Sequence, residues 1–296
     1  MMNDYVIVTD SVVDLDYSYY TENNLRYVPL SITMDGIGTQ DDDFYTTISA
    51  KQFYQYLREG RNVTTSQGTV GYFMRVFGEI LESGKDIVYL GFSSGLSGSY
   101  NSGCMARDEL AEQYPDRNIY CVDTKAAAGG YTMLVCRAVE RKKQGDSAQE
   151  LAEWAEKTSP HMIHWVTVDS LFHLMRGGRV SKTSAVVGSL VGIKPVICVT
   201  ESGKLKPVHK VRGRKQSIAY LAKMAKEQIV ESEFDRLFIS HGDCLEDAEY
   251  LRSLLVQELG IPEEKVEIHM LDMVIGAHTG PGVVTVFFYG EKRTED

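Results

Sequence analysis

The chain has 296 residues, with 31 Lys and Arg against 41 Asp and Glu, for a formal charge of −10. Hydrophobic residues at 43% and charged residues at 24% exclude a disordered or collagen-like chain, and the length suits two domains. The acidic balance excludes a dedicated nucleic-acid binder, whose affinity rests on Lys and Arg at phosphates.

In chain order, residues 5–9 read as a buried strand, with Asp10-Ser11 as a helix-cap pair behind it. Residues 26–34 read as one extended segment, and 49–59 and 70–82 as amphipathic helices. The run 86–92 is almost continuously apolar, as expected of a parallel strand covered on both faces. A Ser/Gly-rich turn, a helix to residue 112, a strand at 118–122 and a helix at 126–144 follow. That helix ends in Arg141-Lys142-Lys143, which suits the negative end of its dipole. A further helix at 148–157 stops before Ser159-Pro160.

The second half changes character. Strands are expected at 165–168, 194–200, 204–211, 236–240, 266–270 and 283–289, and helices at 185–191, 216–230 and 248–259. Glu201-Ser202-Gly203 reads as a hairpin connection. The expected fold is therefore α/β with two domains. Residues 1–160 form a three-layer α/β/α domain with a parallel sheet, and 161–296 an α/β domain with a mixed sheet. No apolar run reaches the roughly 18 residues of a membrane span. The start Met1-Met2-Asn3-Asp4-Tyr5 is unlike a signal peptide, so a cytoplasmic protein is expected.

The five cysteines, Cys104, Cys121, Cys136, Cys198 and Cys244, include no C-x-x-C pair; all read as packing residues. His161 and His164 lack an acidic or Cys ligand at a familiar spacing, so no metal is expected. The most informative segment is Gly91-Phe92-Ser93-Ser94-Gly95-Leu96-Ser97-Gly98-Ser99-Tyr100-Asn101-Ser102. It follows a buried strand and opens a helix, where ligands of parallel sheets bind. Free N–H groups, a positive dipole end and serine hydroxyls suit one small anion there. Gly91-Phe92-Ser93-Ser94-Gly95 also matches G-x-S-x-G, the nucleophile elbow of serine hydrolases. Ser93, Asp272 and His278 would then supply the triad, although no His precedes His161 to make an upstream His-Gly oxyanion motif.

Three further segments stand out. Val63-Thr64-Thr65-Ser66-Gln67-Gly68-Thr69 reads as the N-terminus of an aromatic helix. Gly276-Ala277-His278-Thr279-Gly280-Pro281-Gly282 reads as a rigid loop presenting one imidazole. Met175–Lys182 and Lys210–Lys215 form a basic island in an acidic protein, suited to an anion or an acidic protein surface. No G-x-x-x-x-G-K-[ST], kinase signature set or strand-following G-x-G-x-x-G occurs, so the usual nucleotide machinery is absent from the sequence.

Taken in order, these segments resemble the DegV family of bacterial fatty-acid-binding proteins, which includes the FakB subunits of fatty acid kinase. The resemblance runs through Val8-Thr9-Asp10-Ser11, Thr65-Ser66-Gln67, Ser93-Ser94-Gly95-Leu96-Ser97-Gly98, Gly177-Gly178-Arg179-Val180-Ser181, Gly192-Ile193-Lys194-Pro195, Val211-Arg212-Gly213-Arg214-Lys215 and His278-Thr279-Gly280-Pro281-Gly282. It implies one long-chain fatty acid held between two domains, with no cofactor and no catalytic residue. A separate ATP-binding kinase subunit would phosphorylate the carboxylate for phospholipid synthesis, and lipid exchange would bring peripheral membrane contact. The resemblance places the carboxylate on Thr65 and one of Ser93 or Ser94, with His278 and Arg212 near the head group and the kinase contact. Two departures are Gly68 where Pro usually follows TSQ, expected to loosen that loop, and Lys125 where a smaller or uncharged residue is common. A sixteen-carbon chain has about 14 methylenes, worth roughly 11 kcal/mol gross at ~0.8 each when buried. One neutral hydrogen bond contributes about 0.5–1.5 kcal/mol. Tail burial would therefore set affinity, and the hydroxyls orientation.

Overall fold

The computed structural model describes residues 4–181, 192–230, 232 and 234–296; the helix expected at 185–191 lies outside them. The first half runs β1 (Tyr5–Asp10), α1 (Tyr17–Glu22), β2 (Arg26–Val28), β3 (Ser31–Met34), β4 (Gly38–Asp41), α2 (Ala50–Arg58), β5 (Val63–Ser66) and α3 (Val70–Glu82). It continues with β6 (Asp86–Gly91), α4 (Ser99–Gln113), β7 (Ile119–Asp123), α5 (Ala128–Gln144) and α6 (Ala148–Thr158). Strands β2-β1-β6-β7 form a parallel sheet in that order. Every residue of β1 and β6 is buried, as their largely apolar sequence predicts for strands covered on both faces. Phe73, Phe77 and Leu110 of α3 and α4 cover one face. Tyr131, Val135 and Leu151 of α5 and α6 cover the other. This is the expected three-layer α/β/α arrangement.

Two local expectations change. Residues 26–34 are divided between two sheets, because β2 pairs with β1 while β3 lies between β4 and β5 in a small antiparallel sheet. Pro29 stands at the switch, where a residue without an N–H cannot extend the ladder. The 63–69 segment is not a helix start but strand β5; only Thr69 caps α3, accepting the Tyr72 N–H.

The second half runs β8 (Met162–Thr167), α7 (Phe172–Arg176), β9 (Ile193–Val199), β10 (Leu205–Arg212), α8 (Arg214–Gln228), β11 (Leu237–His241), α9 (Leu245–Leu259), β12 (Val266–Met270), α10 (Met273–Thr279) and β13 (Val284–Tyr289). Its mixed sheet has the order β10-β9-β8-β13-β11-β12, antiparallel except between β11 and β12. Leu221, Leu251 and Leu255 of α8 and α9 cover one face. Val166, Ile197 and Phe287 on the opposite face meet Met133 and Leu134 of α5. Helix α5 therefore packs into the cores of both halves. Gly129 and Gly130 permit it, since a Cβ on either would lie 2.5 Å from the Phe287 or His164 ring.

The expected rigid loop at 276–282 is also corrected. Asp272 caps α10 by accepting the Ile275 N–H at 2.9 Å, and the helix stops at Gly280, whose φ is +81°. His278 thus projects from the last turn of a helix.

Candidate functional site

A cavity of about 70 Å³ lies between the two sheets. Leu30 and Phe92 from the first half and Val166, Ile197, Leu271 and Phe287 from the second give it apolar walls. Its polar lining is uneven. Thr285 Oγ1 donates to the Ser240 carbonyl and Thr279 Oγ1 to that of Ile275. His164 Nε2 accepts the Ala127 N–H at 3.2 Å, so its other nitrogen carries the proton to the Met162 carbonyl at 2.7 Å. Each is satisfied by backbone. Thr65, Gln67, Ser97, Arg179 and His278 remain, and these five converge.

Strand alternation buries Val63, half-buries Thr65 on the same face and leaves Thr64 and Ser66 exposed. Thr65 Oγ1 lies 2.7 Å from His278 Nε2. Burial, helped by the charges of Arg179 and Arg176, pushes the His278 pKa down to about 3. The ring is neutral at pH 7, with one donor and one acceptor nitrogen. It fits because residue 177 is Gly, where a Cβ would sit 2.1 Å from Nδ1. Arg179 donates through Nε to the Leu96 carbonyl at 3.1 Å and through Nη1 to that of Gly177 at 2.6 Å. Among the described residues no carboxylate pairs with this half-buried guanidinium, and burial lowers its pKa. An uncompensated cation beside neutral donors is a site for an anion.

Ser97 Oγ accepts the Ser99 N–H at 3.2 Å and lies 3.0 Å from Ser99 Oγ. Ser99 Oγ in turn accepts the Gly68 N–H, and Gln67 donates to Ser102 Oγ at 2.9 Å. These bonds fasten the end of β5 to the first turn of α4. Gly68 does not loosen the loop as expected. Its N–H makes a bond that proline lacks, and a Cβ there would press on Val28 and Phe73 at 3.0 and 3.1 Å.

The structure separates the other expected residues from the cavity. Ser93 is fully buried and donates to the Gly203 carbonyl at 2.8 Å. Ser94 Oγ accepts from Lys125 Nζ at 2.6 Å, with Asp123 as the counter-ion at 2.7 Å. Neither lines the cavity, because both face the β9–β10 hairpin or β7. Arg212 is exposed at the end of β10, opposite Ile193 and away from the lining residues. The hydrolase triad does not assemble: Ser93 bonds to a carbonyl, His278 to Thr65, and Asp272 to the start of α10. Ser97, Gln67 and Arg179 carry no role in the sequence reading, although all three lie inside segments it singled out. Among the described residues no three His, Cys, Asp or Glu side chains form a metal-binding group. No described helix is long and apolar enough to cross a membrane.

Fold and cavity together define an α/β protein whose two larger sheets flank an apolar cavity with Thr65, Gln67, Ser97, Arg179 and His278 gathered at one end. Residues 4–291 match the profile described as "Uncharacterised protein, DegV family", and the chain belongs to that family. It is 41% identical to a DegV domain-containing protein of Clostridium perfringens over 99% of both chains. A DegV family protein from Thermus thermophilus, described by its fatty acid binding, superposes with a TM-score of 0.82 at 30% identity, covering 98% of this chain and 100% of that one. The fatty acid binding DegV family protein SAG1342 of Streptococcus agalactiae gives 0.83 at 25% identity over 99% and 100%. The fold is also that of the Streptococcus pneumoniae Fatty Acid Kinase B3 protein, at 20% identity and a TM-score of 0.83 over 97% and 100%.

Proposed function

We propose that this chain binds one long-chain fatty acid, with its tail between the two sheets and its carboxylate at Thr65, Ser97, Arg179 and His278. The observation that carries this is the uneven lining: apolar or backbone-satisfied everywhere except where those groups meet. Two structural relatives described as binding fatty acids support it. Thr65 and the neutral His278 supply hydrogen bonds that can swing from each other to a carboxylate oxygen. Arg179 supplies the charge, and Gln67 holds Ser97 in place through α4. Ser93, expected as an anchor, instead joins the turn to the β9–β10 hairpin.

The bound carboxylate is then presented to a separate ATP-dependent kinase subunit, which transfers the γ-phosphoryl group to a carboxylate oxygen and leaves ADP and an acyl phosphate. This chain brings the substrate and no catalytic residue, and the product feeds phospholipid synthesis. Arg212, exposed and off the cavity, would touch the partner rather than the lipid.

Mass spectrometry of the denatured purified protein tests the first part. A fatty acid is expected at near one per chain; its repeated absence, together with no uptake of added palmitate or oleate, overturns the reading. Arg212→Ala tests the second. Phosphorylation by the kinase should fall about tenfold or more while lipid affinity stays within about twofold, since a surface contact with the partner is lost. Equal losses in both assays would remove Arg212 from the partner surface.

A further inference from the structure

A second cavity, of about 270 Å³, shares no lining residue with the first. Three segments meet around it: α1 with the loop before it, the loop from β4 to α2, and the junction of β12 with α10. Asp14, Asp16, Glu22, Asp42 and Asp272 line it, and no Lys or Arg does. Its one basic side chain, His269, already lies 3.3 Å from Glu267 Oε2. The carboxylates stand in two groups. Asp16 and Glu22 are exposed, whereas Asp14, Asp42 and Asp272 are only 5%, 2% and 7% exposed. Asp14 is engaged at both oxygens: Oδ2 accepts the Ser240 hydroxyl at 2.5 Å and Oδ1 the Asp272 N–H at 3.2 Å. Asp272 Oδ1 caps α10, but its Oδ2 and the Oδ2 of Asp42 have no hydrogen-bond partner among the described residues. Two buried carboxyl oxygens without donors, in the wall of an acidic cavity, call for a positive charge.

The rest of the wall selects the kind of cation. No three His, Cys, Asp or Glu side chains among the described residues are placed to share a metal ion. Tyr19, Phe44 and Tyr45 instead line the cavity with aromatic surface, on which methylenes pack and to which ammonium groups are drawn. Phe44 and Tyr45 are held with φ at +58° and +63°, a conformation costly to bulky residues, and the Tyr45 hydroxyl donates to the Leu271 carbonyl.

We propose that this cavity binds an aliphatic diamine, one ammonium among Asp14, Asp42 and Asp272 and the other beside Asp16 and Glu22, with the methylenes against Tyr19, Phe44 and Tyr45. Proton release accompanies binding. Burial raises the Asp14 carboxyl to about 6 and that of Asp42 to about 7. Burial, then the charges of Asp42 and Asp14, raise Asp272 well above 3.8. An ammonium entering among these carboxyls favours their charged form and sends protons to solvent. Affinity therefore rises with pH, and deprotonation of His269 acts in the same direction.

Isothermal calorimetry of the full-length protein with putrescine tests this, in buffers of low and high ionisation enthalpy. One site per chain is expected, with protons released at pH 7 and affinity about fivefold or more higher at pH 8 than at pH 6. Butylamine, which lacks the second ammonium, should bind about threefold more weakly, as the loss of an exposed charge pair implies. Asp42→Asn and Asp272→Asn keep the shape of the protonated acid, and the second keeps the oxygen that caps α10. Each should weaken putrescine about tenfold or more, since a buried charge partner is lost. The proposal fails if putrescine shows no saturable binding at millimolar concentration, or if both variants bind it as the unsubstituted protein does. It fails equally if butylamine binds as tightly, or if magnesium chloride at equal concentration displaces putrescine. Should either variant not fold, the proton count on the unsubstituted protein decides: binding without proton release would place the ammonium elsewhere.

Discussion

The serine-rich turn after β6 works differently at its two ends. At the first end, Ser93 donates to the Gly203 carbonyl, Ser94 accepts from Lys125, and Gly95 abuts the same hairpin, where a Cβ would lie 2.7 Å from the Gly203 carbonyl carbon. Asp10 braces this end from below, accepting the Phe92 N–H at 2.7 Å and the Tyr89 hydroxyl at 3.0 Å. At the second end, Ser97 faces the cavity, and Ser99 and Ser102 hold the strand that carries Thr65. The first end joins the two halves of the chain and the second lines the cavity. A run of serines therefore says that hydroxyls are needed, but packing decides for what.

Substitutions break this division in order of size. Gly203→Ala should do most harm. The residue has φ +78°, and its Cβ would sit 2.2 Å from Ser93 Oγ, so overpacking and backbone strain together should cost about 3 kcal/mol or more. Denaturant unfolding checks it; a loss below about 1 kcal/mol would mean the hairpin contact is soft. Ser93→Ala comes next, leaving the Gly203 carbonyl buried without its donor at about 1–3 kcal/mol. Lipid affinity should stay within about twofold, and a larger drop would return Ser93 to the head-group site.

At the other end the readout reverses. Thr65→Val with Ser97→Ala should weaken fatty-acid binding about tenfold, roughly the 1.4 kcal/mol expected of two hydroxyls on a carboxylate. Some binding should remain because the tail contacts survive, and an unchanged affinity would show that neither hydroxyl touches the carboxylate.

The smallest effect is a pH slope at the first end. Burial raises the Asp10 carboxyl to about 7 against 3.8 when unfolded. The native state then holds a proton the unfolded chain has released, so this stability is present at low pH and is lost as pH rises through about 7. His164 and His278, lowered to about 3, act oppositely, most strongly up to the unfolded histidine value of about 6.5. Between pH 6.5 and 8 the carboxyl by itself lowers the unfolding free energy by roughly 1 kcal/mol, an amount the remaining titration of the two unfolded histidines largely offsets, so the carboxyl's slope is read as the difference between the unsubstituted protein and Asp10→Asn. Asp10→Asn should remove that contribution; an unchanged slope would locate the proton elsewhere, for example on Asp42, raised by burial to about 7 as well.

Much of the fold is legible in local pattern. The continuous apolar runs of β1 and β6, the 3.6-residue periodicity of α2 and α3, and the Glu201-Ser202-Gly203 hairpin need no distant partner to be recognised. Strand β5 is not legible that way, because Thr64, Thr65 and Ser66 are as good at a helix cap as in a strand. Its pairing with β3 across some thirty residues decides. Helix α10 is hidden by Gly276 inside it and Gly280-Pro281-Gly282 behind it, although Asp272 at its head was a usable N-cap signal. In the site, His278 stands out by its Gly- and Pro-rich surroundings, whereas Thr65 comes only from the family resemblance. Ser97 and Arg179 lay in the same motifs, but the direction a side chain faces is set by the other domain and cannot be read from neighbours in sequence.

The glycines of α5 bear on how cargo is loaded. Since Phe287 and His164 of the second sheet lie against Gly129 and Gly130 of the first domain, a clam-shell opening of the two lobes would strip a shared core. On the proposed reading, a fatty acid would enter by rotamer changes along the cavity wall, with the lobes held together. A spin-label pair placed one on each lobe would therefore show the same separation with and without lipid.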